Sequence, residues 1–159
     1  MFFVRKTVIA ASCLMMLAGG AYAASDWLKG SADEKMKTLA EIQPGLGTVM
    51  IEYAGRYTNM YYAAKGGNWG LADYMLKEAR EIQEVGETTR PGRAAGLKAF
   101  EQAYLDPLEK TIKAKNFKAF QTAFNRGIQG CNGCHASNGF PFIKYQLPKA
   151  PFAPLSDKP

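Results

Sequence analysis

The sequence predicts an all-α protein: an antiparallel four-helix bundle with a short N-terminal helix before it and an extended, proline-rich C-terminal tail after it. Three observations predict this class. Apolar residues recur at three- and four-residue steps through most of the chain, as the buried face of a helix requires. Strand-like alternation of apolar and polar residues is absent from the sequence. The breaks between periodic runs are short and rich in Gly, Pro and Asn, which favours neighbouring helices that double back on one another.

The elements follow in order. Residues 1–23 read as a secretory signal, with Arg5 and Lys6 as the basic start, Thr7 to Leu17 as the apolar stretch and Ala21-Tyr22-Ala23 as the cleavage site. That stretch is too short to span a bilayer, and no later segment approaches the roughly 20 apolar residues of a membrane span. The mature chain is therefore expected to be exported, periplasmic and not membrane-spanning, and Cys13 leaves with the signal. Ser31 and Glu34 make a capping box for a short helix to about Ile42, which Pro44 and Gly45 stop. A long stripe follows through Leu46, Met50, Tyr53, Tyr57, Tyr61 and Ala64, closed by Lys65-Gly66-Gly67-Asn68. Asn68 caps the next helix, whose stripe includes Leu71, Met75, Ile82 and Val85. Gly86 to Arg90 reads as a loop, with Thr89 as cap and Pro91 in the first turn of a third helix through Leu97, Phe100, Tyr104, Leu108 and Ile112. Pro107 lies inside that stripe and predicts a kink near Leu105 or a restart capped by Asp106. The last helix opens at Asn116 and runs through Phe117, Phe120, Phe124 and Ile128 into Cys131 and His135. Residues 140–159 interleave prolines with aromatic residues and read as an extended tail, either packed on the bundle or frayed beyond about Pro148.

Charge excludes one class of partner. The chain has 20 basic and 14 acidic side chains, and the signal removes only Arg5 and Lys6, so the mature surface is mildly basic. That suits an acidic protein partner at low salt and is too weak for nucleic acid.

The chemistry concentrates in Cys131-Asn132-Gly133-Cys134-His135, which contains the one histidine of the chain. The run reads as a covalent attachment site for one haem c, making residues 24–139 a helical haem-binding domain. Thiols three apart on a helix have Cβ atoms about 5 to 6 Å apart, close enough to join the two vinyl groups of one porphyrin. His135 lies one turn beyond Cys131 on the same side and ligates the iron. Two other readings of the pair exist. A thioredoxin-like redox pair belongs at a strand-to-helix junction, which this sequence lacks. A structural zinc needs four ligands, and one His with two mature Cys falls short.

An exported helical chain with this pentapeptide near its C-terminus resembles the class II c-type cytochromes, the cytochrome c′ group and its low-spin relatives. The resemblance implies thioether bonds at Cys131 and Cys134 and a proximal His135, and it extends to no other residue. The long aromatic tail and the run Ala136-Ser137-Asn138-Gly139 depart from the family's pattern. Class I cytochromes c carry their axial methionine after the motif, and here no methionine follows His135.

The opposite face of the iron is filled by a methionine, by an unusual ligand, or left open. Met50 is the preferred methionine, being on the core stripe at the start of its helix, level in an antiparallel bundle with the end of the last helix. Met60 is ten residues on, roughly 15 Å along the axis. Simple core packing would place Met50 on the same stripe. Gly127, one turn before Cys131, makes room for the macrocycle or marks a frayed turn. The expected function is that of a one-electron carrier rather than an enzyme, since no paired carboxylates or second histidine flank the motif. The alternative is a gas-binding or sensing protein for nitric oxide or carbon monoxide with an open distal site. Expected partners are redox proteins, acidic ones met by Lys144 and Lys149 among them; a homodimer is a further option.

Overall fold

The computed structural model describes residues 28–153 and 156–159. The signal sequence, with its cleavage site and Cys13, lies outside the described residues. The chain divides between Gln43 and Pro44 into two units. Every described element is helix, turn or irregular chain, so the all-helical class stands and is compatible with a helical bundle.

The first unit contains α1, Ala32–Glu41. Its capping box forms as expected: Ser31 N donates to Glu34 Oε2 at 2.7 Å and Glu34 N donates to Ser31 Oγ at 3.3 Å. None of its residues is buried, and Met36 is 66% exposed.

In the second unit, α2 (Leu46–Gly66) and α3 (Trp69–Thr89) form a helical hairpin. Gly67 takes the left-handed conformation at φ +86°, which a side chain would strain, and Asn68 accepts from Leu71 N at 3.0 Å to start α3. The expected loop from Gly86 is instead the last turn of α3. Gly86 is there for close packing: a Cβ at that position would stand 3.0 Å from Leu46 Cδ1 and 3.2 Å from Val49 Cγ1. Thr89 likewise belongs to α3 and donates to the Val85 carbonyl at 2.7 Å, while Arg90 takes the cap position before Pro91, its guanidinium donating to Thr89 O at 2.6 Å and Pro44 O at 3.0 Å rather than capping the helix.

Next come α4 (Pro91–Phe100), a π-helical turn (Glu101–Leu105) and α5 (Asp106–Lys113). The proline explains the turn. Pro107 has no N–H for the carbonyl of Ala103, and the backbone widens just before it, with Asp106 N donating to Glu101 O. Asp106 is the first residue of α5 and Leu105 its cap position, so the helix does not restart from a side-chain cap at Asp106. Arg80 of α3 spans the widened stretch, donating to Glu101, to Asp106 at 2.8 Å and to Glu109 at 3.1 Å.

The last helix, α6 (Phe117–Ser137), begins at Asn116, whose side chain accepts from Ala119 N at 3.1 Å. Its aromatic stripe meets those of the other helices in a core that includes Tyr57, Met60, Leu76, Leu108, Phe120 and Phe124. Full burial of a side chain such as Phe120 or Phe124 stabilises by about 1.5–3 kcal/mol. From Phe140 on the described residues are not helical, and the chain returns along α2. Tyr62 donates to Pro148 O at 2.8 Å, Phe152 N donates to Asn59 Oδ1 at 2.8 Å, and the Phe152 ring covers Gly55.

Gly130 brings α6 against the π-helical turn, where an added Cβ would lie 2.5 Å from the Tyr104 ring. Gly130→Ala is therefore expected to destabilise by about 1–3 kcal/mol despite its better helix propensity. A lower denaturation midpoint at unchanged slope would bear this out; an unchanged or raised midpoint would refute it.

Candidate functional site

The pentapeptide occupies the last turns of α6, and two side chains there hold the tail in place. Helix termination comes first. Gly139 turns left-handed at φ +88°, Asn138 Nδ2 donates to Cys134 O at 2.8 Å, and Phe140 N donates to His135 O at 2.8 Å, so carbonyls left over at the helix end find donors. Having reversed, the chain passes back over the motif. Tyr145 N donates to Asn132 Oδ1 at 2.8 Å, and Asn132 Nδ2 returns a bond to Tyr145 O at 3.2 Å. The Asn132 amide thus pairs with tail backbone as a strand would.

His135 Nδ1 lies 2.9 Å from the carbonyl oxygen of Ile143. A carbonyl only accepts, so Nδ1 is the nitrogen that donates here, and Nε2 is the one left over for another partner. This fixes both tautomer and ring orientation, the usual support given to a metal-ligating histidine.

Cys131, Cys134 and His135 all line one cleft of about 280 Å³. Helix α2 lines it through Leu46, Met50, Tyr53 and Tyr57; α4 contributes Gly92, Arg93, Leu97 and Phe100, and the tail contributes Phe140 and Tyr145. Met50 is therefore in the same cleft as the motif, whereas Met60 and Met75 belong to the buried core. Gly127 does not line it. The space above Gly127 is taken by Tyr57, whose hydroxyl donates to Phe124 O at 3.2 Å and would meet an added Cβ. The room expected for a macrocycle thus belongs to a tyrosine that itself lines the cleft.

Both cysteines are free thiols. Burial pushes the Cys131 thiol up to about 12, with Cys134 nearby adding to the effect. A thiol so protonated at neutral pH is a poor redox nucleophile, which weakens the thioredoxin-like reading. Among the described residues no group of three or more His, Cys, Asp or Glu is placed to hold a metal ion, so the ligand set of a structural zinc is not assembled. No described helix is long and apolar enough to cross a membrane.

One buried polar atom stands out, on a residue that lines the cleft. The hydroxyl of Tyr53 is buried without a hydrogen-bond partner, which costs about 1–3 kcal/mol. Burial holds this phenol well above its ordinary range, so it stays protonated. Sequence reading missed Asn132, Ile143 and Tyr145, for which periodicity carries no signal, and took Tyr53 only as one residue of the stripe from Leu46 to Ala64. Against family models, curated proteins and solved structures the chain finds no match.

Two outcomes are expected. Asn132→Ala removes both bonds to Tyr145 and should cost about 1–2 kcal/mol, with faster amide exchange at Tyr145 while the middle of α6 stays protected. Equal exchange in both proteins would show that the pair does not hold the tail. In the unmodified folded chain, Cys131 should alkylate more slowly at pH 8 than in urea, and faster as pH rises toward about 12. Equal rates in the folded and unfolded chain would remove the burial effect.

Proposed function

We propose that the chain is a monohaem c-type cytochrome of the periplasm, a one-electron carrier and not an enzyme, with Cys131 and Cys134 holding the haem through thioether bonds and His135 as proximal ligand. The observation that carries this reading is the hydrogen bond from His135 Nδ1 to Ile143 O, which readies Nε2 beside two free thiols. The lining of the cleft suits such a group: both thiols and the imidazole line it, and Leu46, Leu97 and Phe100 give it apolar walls. When bound, the haem supplies an iron that cycles between ferric and ferrous states.

The residues of the chain do the rest. His135 is held by the tail and keeps its ligating nitrogen free of competing bonds. The apolar walls exclude water and favour the less charged ferrous form. Met50 is the proposed sixth ligand, and its thioether would raise the reduction potential. The four rods of the proposed antiparallel bundle are α2, α3, α4 with α5, and α6, an order that sets the start of α2 beside the end of α6. The shared cleft of Met50 and His135 supports it. Residues 1–23 would be the export signal. Partners are redox proteins with acidic surfaces, met by Lys144 and Lys149 of the tail, and a homodimer is compatible with this reading. In resembling the class II c-type cytochromes, the chain has a second reading as a binder of nitric oxide or carbon monoxide. The unpartnered Tyr53 hydroxyl favours it.

Protein made with a haem-attachment system should have the mass of the signal-cleaved chain plus one haem, resistant to acid-acetone extraction. An unmodified chain with a Cys131–Cys134 disulfide would overturn the proposal. Met50→Ala should convert a low-spin spectrum to a high-spin or ligand-accepting one and lower the potential. A native protein that is already high-spin, or a variant with an unchanged low-spin spectrum, would remove Met50 from the iron.

A further inference from the structure

The stretch of tail that crosses the motif is held by hydrogen bonds and not by burial. Every residue from Gly139 to Lys144 is exposed, Phe142 to 77%. Apolar packing therefore does not fix where the Ile143 carbonyl stands over His135. On one side it is fixed by the helix end and a turn, with Phe140 N donating to His135 O at 2.8 Å and Ile143 N to Phe140 O at 3.0 Å. On the other side the first residue withdrawn from solvent is Tyr145.

Tyr145 is pinned at three points. Asn132 takes both of its backbone groups, at 2.8 Å and 3.2 Å. Its ring stands edge-on to Tyr57 of α2, with centroids 5.8 Å apart. Its hydroxyl lies 2.9 Å from Thr58 Oγ1, and Thr58 already uses its one proton on Ala54 O at 2.8 Å, so Tyr145 donates and Thr58 accepts. Asn132 and His135, three apart on one helix face, thus meet Tyr145 and Ile143, two apart in a tail that runs the opposite way. A shift of the tail at Tyr145 carries the Ile143 carbonyl with it, because nothing but that turn and the bond to His135 holds the residues between.

We propose that Asn132 and Tyr145 are positioning residues for the proximal imidazole: they hold the tail in the register that keeps the Ile143 carbonyl on His135 Nδ1, and through that bond they set the reduction potential of the site. This rests on the haem reading above. The acceptor comes from the tail, the part of the chain that departs from the class II pattern. A carbonyl on Nδ1–H makes the imidazole a stronger donor through Nε2, which favours the ferric state. Loosening the register weakens that bond and raises the potential. Through Thr58, the proximal side of the site is thereby tied to the middle of α2.

The test uses the intact protein with covalent haem established by mass. Asn132→Ala should shift the equilibrium toward ferrous iron by up to about tenfold, a rise of about 59 mV for a one-electron couple. In the ferrous protein with Met50→Ala, the same change should move the iron–histidine stretch to lower frequency. Asn132→Asp, which keeps an acceptor for Tyr145 N, should fall between the native protein and Asn132→Ala in both readouts. Tyr145→Phe leaves the motif and both backbone bonds in place, and should move the potential and the stretch in the same direction by less. Tyr62→Phe frees the tail from α2 at Pro148 and serves as the control for a merely looser tail, with the potential and the stretch unchanged. An unmoved potential in Asn132→Ala or Tyr145→Phe, or an equal rise in Tyr62→Phe, would overturn the assignment while leaving the haem reading intact. Absence of covalent haem from the native chain would overturn the haem reading itself, and this inference with it.

Discussion

The contact of Tyr57 with α6 sets the geometry on which the rest depends. Its ring stacks on Phe124 with centroids 4.4 Å apart, its hydroxyl reaches the Phe124 carbonyl, and its tip occupies the space that Gly127 leaves open. This contact divides the inner face of α2. Toward the C-terminal end, Met60, Tyr61 and Ala64 are sealed in the aromatic core with Phe120 and Phe124. Toward the N-terminal end, Tyr53, Met50 and Leu46 face the cleft that the cysteines also line. Core and candidate site are thus two halves of one helix face.

The tail completes this arrangement from outside. Asn132 and His135 point their polar atoms to successive parts of the returning chain, at Tyr145 and Ile143, so the spacing of the motif serves the strap as well as the cleft. Charge follows the same division. No Asp or Glu stands between Glu109 and Asp157, a stretch that includes all of α6 and the tail through Pro151. Acidic side chains gather on α3 and around the π-helical turn, where Arg80 binds three of them. Field strength on the motif-bearing side is thus positive by composition, independent of any single lysine.

Much of the fold was legible because it rests on local rules. The capping box at Ser31, the caps at Asn68 and Asn116 and the stripe of α6 are short-range patterns, and each forms. Met50, placed by helical phase on the inner stripe, does line the cleft with the motif. What escaped were features set by contact across the chain. Gly86 and Gly127 look like a loop signal and a cofactor niche, yet each marks a close approach of another helix, which a single sequence does not encode locally. The π-helical turn is the response of α4 and α5 to Pro107, under the grip of Arg80 from a different helix. The pairing of Asn132 with Tyr145 spans a reversal whose direction no periodicity reveals.

The long return of the tail imposes an order on assembly. Asn59 waits for Phe152, and Asn68 donates to the carbonyl of Lys158, almost the last residue of the chain. Helix α2, though made early, cannot finish its outer surface until the tail has emerged. The clasp over Asn132 and His135 closes at the same late stage. Until then the two thiols are presented on an unstrapped helix, and closure afterwards turns a reactive segment into a protected one. The bonds from Asn132 to Tyr145 and from His135 to Ile143 thus make the tail the latch over the segment that carries the cysteines.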